Sequence, residues 1–277
     1  MIRRLVFALV CLAVLAWVPA AFAVYPGPFA AQDGRGALSR DGTLRFVAAK
    51  DGANTLLKAV RRADGSVAAA KPLTGAFGIV FLSPSGYGEG LSHDGGTLVL
   101  QSMGVAARTQ FLLVDTKDFS THDAISLDGT FAYDALSPDG SRLYLIQHTS
   151  TDDISHYVVR AYDLNEHALL PGRIADKTQK RWVMQGLSVS RATTKDGRWV
   201  YTLYANPGGY PFVHALDTVA GVAHCVGLPW PQTHSQNELF DFSLQLKGTR
   251  LAVRRLGGSA YRLINTKSWK VSKPVAR

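Results

Sequence analysis

The stretch Ser-Pro-Asp-Gly-Ser-Arg-Leu-Tyr-Leu at residues 137–145 places a tight turn directly before a strand of alternating apolar residues. Glycine readily takes the positive φ that tight hairpin turns require, so Asp-Gly before such a strand indicates a β-hairpin. The same signal occurs five times along the chain, which predicts a repeated unit. The turns are Ser39–Gly42, Ser92–Gly95, Ser137–Gly140, Thr194–Gly197 and a degenerate Gln245–Gly248, with 53, 45, 57 and 51 residues between successive third positions.

A further strand recurs about twenty residues after each turn and ends in a short polar pair, such as Asp115-Thr116 or Asp217-Thr218. Each unit therefore contains two hairpins, or four strands. Four-stranded repeats of this length are typical of β-propeller blades, which surround a central channel. The sequence predicts an all-β chain folded as a β-propeller of five four-stranded blades. The alternative is a ring of six or seven blades in which some units are irregular.

The strand before each turn shows two regularities. Four positions before the third turn residue the side chain is always small, as expected where the inner strands of neighbouring blades converge: Ala37, Gly90, Ala135, Ala192 and Ser243. One position earlier, on the opposite strand face, three of the five residues are ionisable. Glu89, Asp134 and Arg191 are therefore predicted to meet near the mouth of the central channel. There the arginine can fork onto one acid, or leave one acid free for a cation or a substrate hydroxyl. The alternative is a solvated ion pair in a water-filled channel.

Ser-Pro-Asp-Gly followed by an aromatic and aliphatic strand, and then by a strand ending in Asp-Leu or Asp-Thr, resembles the blades of YVTN/YncE-type and TolB-type bacterial propellers. The resemblance covers nearly all of residues 35–270 and is specific for the blade. It implies no single function, because such propellers include binding scaffolds, periplasmic complex partners and lactonase-like enzymes.

The N-terminus has the pattern of an export signal. Arg3 and Arg4 precede the apolar run Leu5–Val18, and Ala21-Phe22-Ala23 fits a signal-peptidase site. Residues 1–23 are predicted to be a cleaved signal peptide and residues 24–277 a single propeller domain. The protein is then secreted, periplasmic or bound to the cell envelope, with no transmembrane span after cleavage; the alternative is an uncleaved N-terminal membrane anchor.

Composition limits the classes of partner. The 277 residues are 47% hydrophobic and 18% charged, which excludes a disordered polymer. The 23-residue leader carries two of the 30 basic residues and none of the 21 acids, so the mature chain has a charge of +7. Outside the cytoplasm such a chain meets envelope polyanions more often than nucleic acid. We expect a monomer that binds a protein, a glycan or an acidic envelope polymer, and no nucleic acid.

Loops predicted at one face of the propeller mix cations with aromatic rings, which suits stacking on sugars and binding of acidic groups. This second group of ligand-binding candidates comprises Lys180, Arg181, Trp182, Tyr210, Trp230 and His234. The alternative is that these loops form a basic, solvated face that binds no ligand.

Sharper chemical signatures do not occur in the sequence. It has no nucleophile elbow, no zinc-protease motif and no phosphate loop. The spacing of His148, Asp152, Asp153 and His156 matches no closed zinc pattern, so neither a metal nor another cofactor is expected. Cys225 lies in the apolar run Val222–Leu228, where a buried, inert thiol is expected.

The resulting hypothesis is a secreted, non-catalytic propeller that acts as a binding scaffold. The alternative is a propeller hydrolase or lactonase-like enzyme that uses Glu89, Asp134 and Arg191 at the channel mouth. Glycosidases need two carboxyl groups on either side of the scissile bond, about 5–10 Å apart, and Glu89 with Asp134 is the pair that the repeat nominates.

Overall fold

A computed structural model of the protein describes residues 30–82, 88–176, 183–206, 209–231 and 233–273. Its strands form five antiparallel sheets that follow one another along the chain, and each sheet is one blade of four strands, with short extra strands beside blades 2 and 3. The all-β fold and the five four-stranded blades predicted from the repeat are confirmed. The signal peptide predicted for residues 1–23 lies outside the described residues.

The first short strand, β1 (Ala30–Ala31), pairs with the inner strand of blade 2. Blade 1 comprises β2 (Ala37–Leu38), β3 (Leu44–Asp51), β4 (Asn54–Arg61) and β5 (Val67–Leu73). Blade 2 comprises β6 (Phe77–Val80), β7 (Thr97–Ser102), β8 (Arg108–Asp115) and β9 (Thr121–Asp128). Blade 3 comprises β10 (Phe131–Leu136), β11 (Arg142–His148), β12 (His156–Asp163) and β13 (Ala168–Leu169), and β14 (Met184–Gln185) also pairs with β12.

Blade 4 comprises β15 (Leu187–Thr193), β16 (Trp199–Ala205), β17 (Phe212–Asp217) and β18 (Val222–Gly227). One short 3-10 helix, Gln236–Asp241, leads into blade 5. Blade 5 comprises β19 (Phe242–Lys247), β20 (Arg250–Arg255), β21 (Ala260–Asn265) and β22 (Val271–Ser272). No helix in the described part of the chain has the length and apolarity needed to cross a bilayer.

The repeated turn is held by its own side chains. In blade 3 the Ser137 hydroxyl donates to Asp139 Oδ1 at 2.6 Å and accepts from the backbone N–H of Arg142 at 2.9 Å. Gly140 has φ +70°, a conformation that costs glycine little and other residues more. These hydrogen bonds explain why serine or threonine recurs at the first position of the turn together with the Asp-Gly pair.

Apolar cores form between consecutive blades rather than at one common centre. Separate clusters of buried side chains join blades 1 and 2, blades 2 and 3, blades 3 and 4, and blades 4 and 5. Among the described residues, no such cluster joins blade 5 to blade 1. Blades 2, 3 and 4 are therefore covered on both faces, and the two end blades on one.

The inner strand of blade 2 departs from the repeat. β6 ends at Val80, and the strand path resumes at Gly88, which bridges Phe81 and also Ala37 in blade 1. A Cβ at Gly88 would clash with Ile79 Cγ2, so glycine is required at this contact. The interruption delivers Glu89, whose backbone N–H donates to the Val80 carbonyl at 2.7 Å, to the inner edge of the blade.

Candidate binding site in the central cavity

The structure brings Glu89, Asp134 and Arg191 together from the inner strands of blades 2, 3 and 4. Asp134 lies at a register shift between β10 and β11, and the shift falls between Tyr133 and Ala135. A similar shift interrupts β15 just before Arg191. Bulges of this kind turn a strand and redirect its side chains.

Arg191 is the centre of this group, which we call the acid–arginine cluster. Its side chain is only 6% exposed, and Nη2 lies 2.6 Å from Asp134 Oδ1. Nη1 donates to the backbone carbonyl of Asp134, and Nε donates to Thr202 Oγ1 at 3.1 Å. Burial alone would lower the pKa of Arg191, but the charges of Asp134 and Glu89 outweigh it and raise that pKa, so the guanidinium stays charged.

The two acids of the acid–arginine cluster differ in environment. The Asp134 side chain is 1% exposed and is paired directly with Arg191. The Glu89 side chain is 34% exposed, and its Oε2 lies 3.9 Å from Arg191 Nη1, beyond hydrogen-bonding distance. The arginine therefore forks onto Asp134 and leaves Glu89 facing the cavity.

Glu89 and Arg191 border a cavity of about 440 Å³ where blades 1 to 4 meet. We call it the central cavity. Tyr133 also contributes to its wall, and the pKa of its hydroxyl is raised by burial and by the charge of Glu89, so the phenol stays neutral. Three basic or titratable side chains stand at the turns around it: Arg40, His93 and Lys195.

These three turn residues are not among the ligand-binding candidates that the sequence predicts. They occupy the variable second position of the Ser-x-Asp-Gly or Thr-x-Asp-Gly turn in blades 1, 2 and 4. Arg40 is anchored across the first two blades, because Nε and Nη2 donate to the Ser92 carbonyl at 3.0 and 2.7 Å. The turns of blades 2 and 4 also approach closely, since a Cβ at Gly197 would lie 3.0 Å from His93 Nδ1.

The second predicted group of ligand-binding residues lies elsewhere. Tyr210 lies in the loop between β16 and β17, and Trp230 and His234 lie in the segment between blade 4 and blade 5. All three are therefore at the end of the blades opposite the Asp-Gly turns. The predicted shared face is thus separate from the turns around the central cavity. Lys180, Arg181 and Trp182 fall outside the described residues.

Trp230 and His234 support the fold at this end. Trp230 Nε1 donates to the His234 carbonyl at 3.0 Å, and its ring meets Tyr261 edge-on with a centroid distance of 5.4 Å. His234 Nδ1 lies 3.2 Å from Glu238 Oε2. Tyr210 is 62% exposed. Of these three residues, Tyr210 is therefore the ring most available to a ligand.

The remaining candidate groups have structural contacts. His148 Nδ1 lies 2.7 Å from the Ile154 carbonyl, and His156 Nδ1 lies 2.8 Å from Asp153 Oδ2. Cys225 is half-buried, with Sγ 3.6 Å from His214 Nδ1. Burial raises the pKa of the Cys225 thiol to about 12, so it is protonated at neutral pH.

The chain resembles known proteins at low sequence identity. No protein-family model matches the sequence, and no curated protein matches it. Among solved structures, the chain is 16% identical to hydrazine synthase of Kuenenia stuttgartiensis, with a TM-score of 0.48. The match covers 82% of this chain and 62% of that one. It is 12% identical to TolB from Acinetobacter baumannii, with a TM-score of 0.46 and coverage of 85% and 52%.

A third likeness is to the Cps50 (Swd1) β-propeller domain from Myceliophteria thermophila, at 11% identity and a TM-score of 0.48, with 84% of this chain and 67% of that one covered. The chain thus spans less than two thirds of the length of the first two structures and about two thirds of the third. The propeller assignment itself rests on the five sheets and their order.

Proposed function

We propose that this protein is a non-catalytic propeller that binds its ligand in the central cavity. The observation that supports this most directly is the state of the two acids there. They do not form a free pair, because Asp134 is buried and tied to Arg191 through both its carboxylate and its backbone carbonyl. What the cavity offers is polar and charged binding groups rather than a general acid and a general base.

The alternative, a hydrolase or lactonase-like enzyme, requires more than these groups supply. A general acid or base must come within hydrogen-bonding distance of a substrate proton. Asp134, at 1% side-chain exposure, cannot reach a substrate without breaking its pair with Arg191. Glu89 would have to act without a second carboxylate.

We further propose that the chain is exported and has repeats of the YVTN/YncE-like or TolB-like type. The basic and apolar segments at residues 3–18 and the Ala-Phe-Ala at residues 21–23 support export. The Ser-x-Asp-Gly turns support the repeat type. A protein, a glycan or an acidic envelope polymer is then the partner class that the exported chain meets.

A variant that narrows the cavity tests this function. Thr193 is exposed at the border of the cavity, so Thr193→Trp obstructs the cavity without removing a charge. Thr249→Trp, at an exposed turn position of blade 5, is the matched control. The parent and both variants are measured on arrays of envelope glycans, peptides and acidic polymers, and on a panel of glycosides and lactones.

We expect the parent and Thr249→Trp to share at least one ligand that Thr193→Trp has lost, and no turnover by any of the three. Ligand binding that Thr193→Trp retains in full would contradict a cavity site. Turnover that Glu89→Gln abolishes would establish the hydrolase instead.

A further inference from the structure

We propose that the central cavity binds a zwitterionic ligand of the amino-acid or short-peptide class, whose ammonium group contacts Glu89 and whose carboxylate stays near Lys195. This inference rests on the proposed function, because it names the chemistry of the ligand that the cavity would bind. It concerns binding alone and involves no covalent step.

The acid–arginine cluster contains more acidic than basic groups. One guanidinium stands beside two carboxylates, and both of its hydrogen-bonding Nη atoms are directed at Asp134. Glu89 receives only a 3.9 Å contact, and no described residue donates a hydrogen bond to its carboxylate. The 3.9 Å pair with Arg191 offsets only part of the desolvation cost of this half-buried carboxylate, because it is not a hydrogen bond. A cation supplied by the ligand would offset it.

An aromatic residue borders the same cavity as Glu89. Tyr133 and Glu89 both contribute to its wall. Carboxylates combined with aromatic groups favour ammonium ions, through charge-assisted hydrogen bonds and through the electrostatic attraction of the ring. Both groups lie on inner strands, which hold them in fixed positions.

Positively charged side chains from the turns border the central cavity. Lys195 is exposed at the second position of its turn, and no described residue forms an ion pair with its ammonium group. Arg40 adds a second positive charge on the blade 1 turn. The aspartates of the same turns do not border the cavity, so a ligand with an ammonium group on Glu89 meets cations on the cavity wall at its other end. A volume of about 440 Å³ is within the usual range for small-ligand sites.

The test uses triglycine and two derivatives that each remove one charge. N-acetyl-triglycine lacks the ammonium group, and triglycine amide lacks the carboxylate. Their affinities are measured by isothermal titration or by NMR titration for the parent, Glu89→Gln and Lys195→Met. The matched controls are Glu166→Gln and Lys247→Met, which alter exposed residues outside the cavity wall.

In the parent, N-acetylation is expected to weaken binding about tenfold and amidation about threefold, since a desolvated charge-assisted bond is stronger than one at an exposed rim. In Glu89→Gln, acetylation no longer weakens binding, whereas amidation still does. In Lys195→Met, amidation no longer weakens binding, whereas acetylation still does. Both controls behave as the parent. Glucosamine, which has an amine and no carboxylate, is expected to bind no better than triglycine amide.

Equal affinity of the parent for triglycine and N-acetyl-triglycine, or no binding of any probe at millimolar concentration, would overturn this inference. The array experiment above is independent of it, because Thr193→Trp alters cavity volume and not charge. Array binding lost in Thr193→Trp together with a failed triglycine series would retain the cavity as a binding site and reject the zwitterion. Array binding unaffected by Thr193→Trp would reject the cavity itself.

Discussion

The middle and end blades of this propeller differ in how much of each sheet is covered. In blade 4, every residue of β17 is buried, and so are all residues of β16 except Trp199. In blade 1, buried and half-buried residues alternate along β4. Blade 5 shows the same alternation along β20, where Leu251 and Val253 are buried and the positions between and beside them are not.

This difference follows from the number of neighbours that a blade has. A sheet between two others buries both faces, so its strands read as continuous apolar runs, as in Val-Tyr-Thr-Leu-Tyr-Ala at residues 200–205. A sheet with one neighbour keeps the period of two, as in Arg-Leu-Ala-Val-Arg at residues 250–254. The middle blades should therefore hold most of the stability and the end blades less.

The largest effect is expected where the acid–arginine cluster joins blades 3 and 4. Asp134→Asn removes the charge that Arg191 faces and leaves a buried guanidinium without its partner. We expect a loss of about 3–5 kcal/mol in the free energy of unfolding, measured with urea. Asp128→Asn is the control, because its pair with Arg108 is 82% and 65% exposed, and it should lose below about 1 kcal/mol. Equal losses would show that the buried pair contributes no more than a surface pair.

The next effect compares apolar side chains in a middle and an end blade. Leu145 is fully buried in blade 3, whereas Leu263 in blade 5 is half-buried. Leu145→Ala should destabilise the protein by about 3–4 kcal/mol and Leu263→Ala by about 1 kcal/mol, because the cost depends on the apolar contact and the cavity left behind. Urea unfolding measures both. Similar losses at the two positions would contradict the difference between the blades.

A smaller effect comes from tyrosine hydroxyls. The buried hydroxyl of Tyr144 in blade 3 donates to the Thr218 carbonyl of blade 4 at 2.8 Å. The Tyr261 hydroxyl in blade 5 donates to the Pro229 carbonyl at 2.7 Å at an exposed position. We expect Tyr144→Phe to lose about 1–2 kcal/mol, since it leaves a buried carbonyl with one partner fewer, and Tyr261→Phe to lose less than half of that. A larger loss for Tyr261→Phe would reverse the comparison.

The smallest expected effect is the loss of stability at low pH that comes from a turn carboxylate, Asp41. Hydrogen bonds from the Ser39 hydroxyl and from the backbone and hydroxyl of Thr43 lower the pKa of Asp41 to about 2 from 3.8. A carboxylate with a depressed pKa stabilises the fold above its unfolded pKa, and this stabilisation is lost as the pH falls through its folded pKa. Between pH 4 and pH 2 the parent should therefore lose more stability than Asp41→Asn.

Blade 5 supplies the control for this pH effect, because Lys247 stands where the other turns have aspartate. Lys247→Ala should follow the parent across the same pH range in urea unfolding. If Asp41→Asn and the parent lost stability in parallel between pH 4 and pH 2, the turn carboxylate would have no part in acid sensitivity.

The repeat predicted the blades because hairpin turns and strand alternation are local properties. Ser137, Asp139 and Gly140 are close in sequence, and their turn geometry needs no partner from elsewhere. The same repeat also placed Glu89, Asp134 and Arg191 at equivalent positions on neighbouring inner strands. Their convergence in the structure follows from the blade order alone.

The sequence did not show which of the two acids pairs with Arg191 and which faces the cavity. Which acid Arg191 selects depends on a bulge at Asp134 and on the interrupted inner strand that carries Glu89, and neither appears in the repeat pattern. Arg40, His93 and Lys195 were missed because they occupy the variable position of the turn. A comparison of that position across the repeats, once the turns are placed around the axis, would have found them.

Native-state hydrogen exchange of the parent tests the difference between middle and end blades most directly. It compares the amides of Val200–Tyr204 in β16 with those of Leu251–Arg254 in β20. We predict that the β16 amides exchange only through global unfolding, and that the β20 amides exchange through a partial opening several kcal/mol lower in free energy. Equal protection of the two strands would contradict the account, because it would mean that blade 5 is as firmly held as the blades with two neighbours.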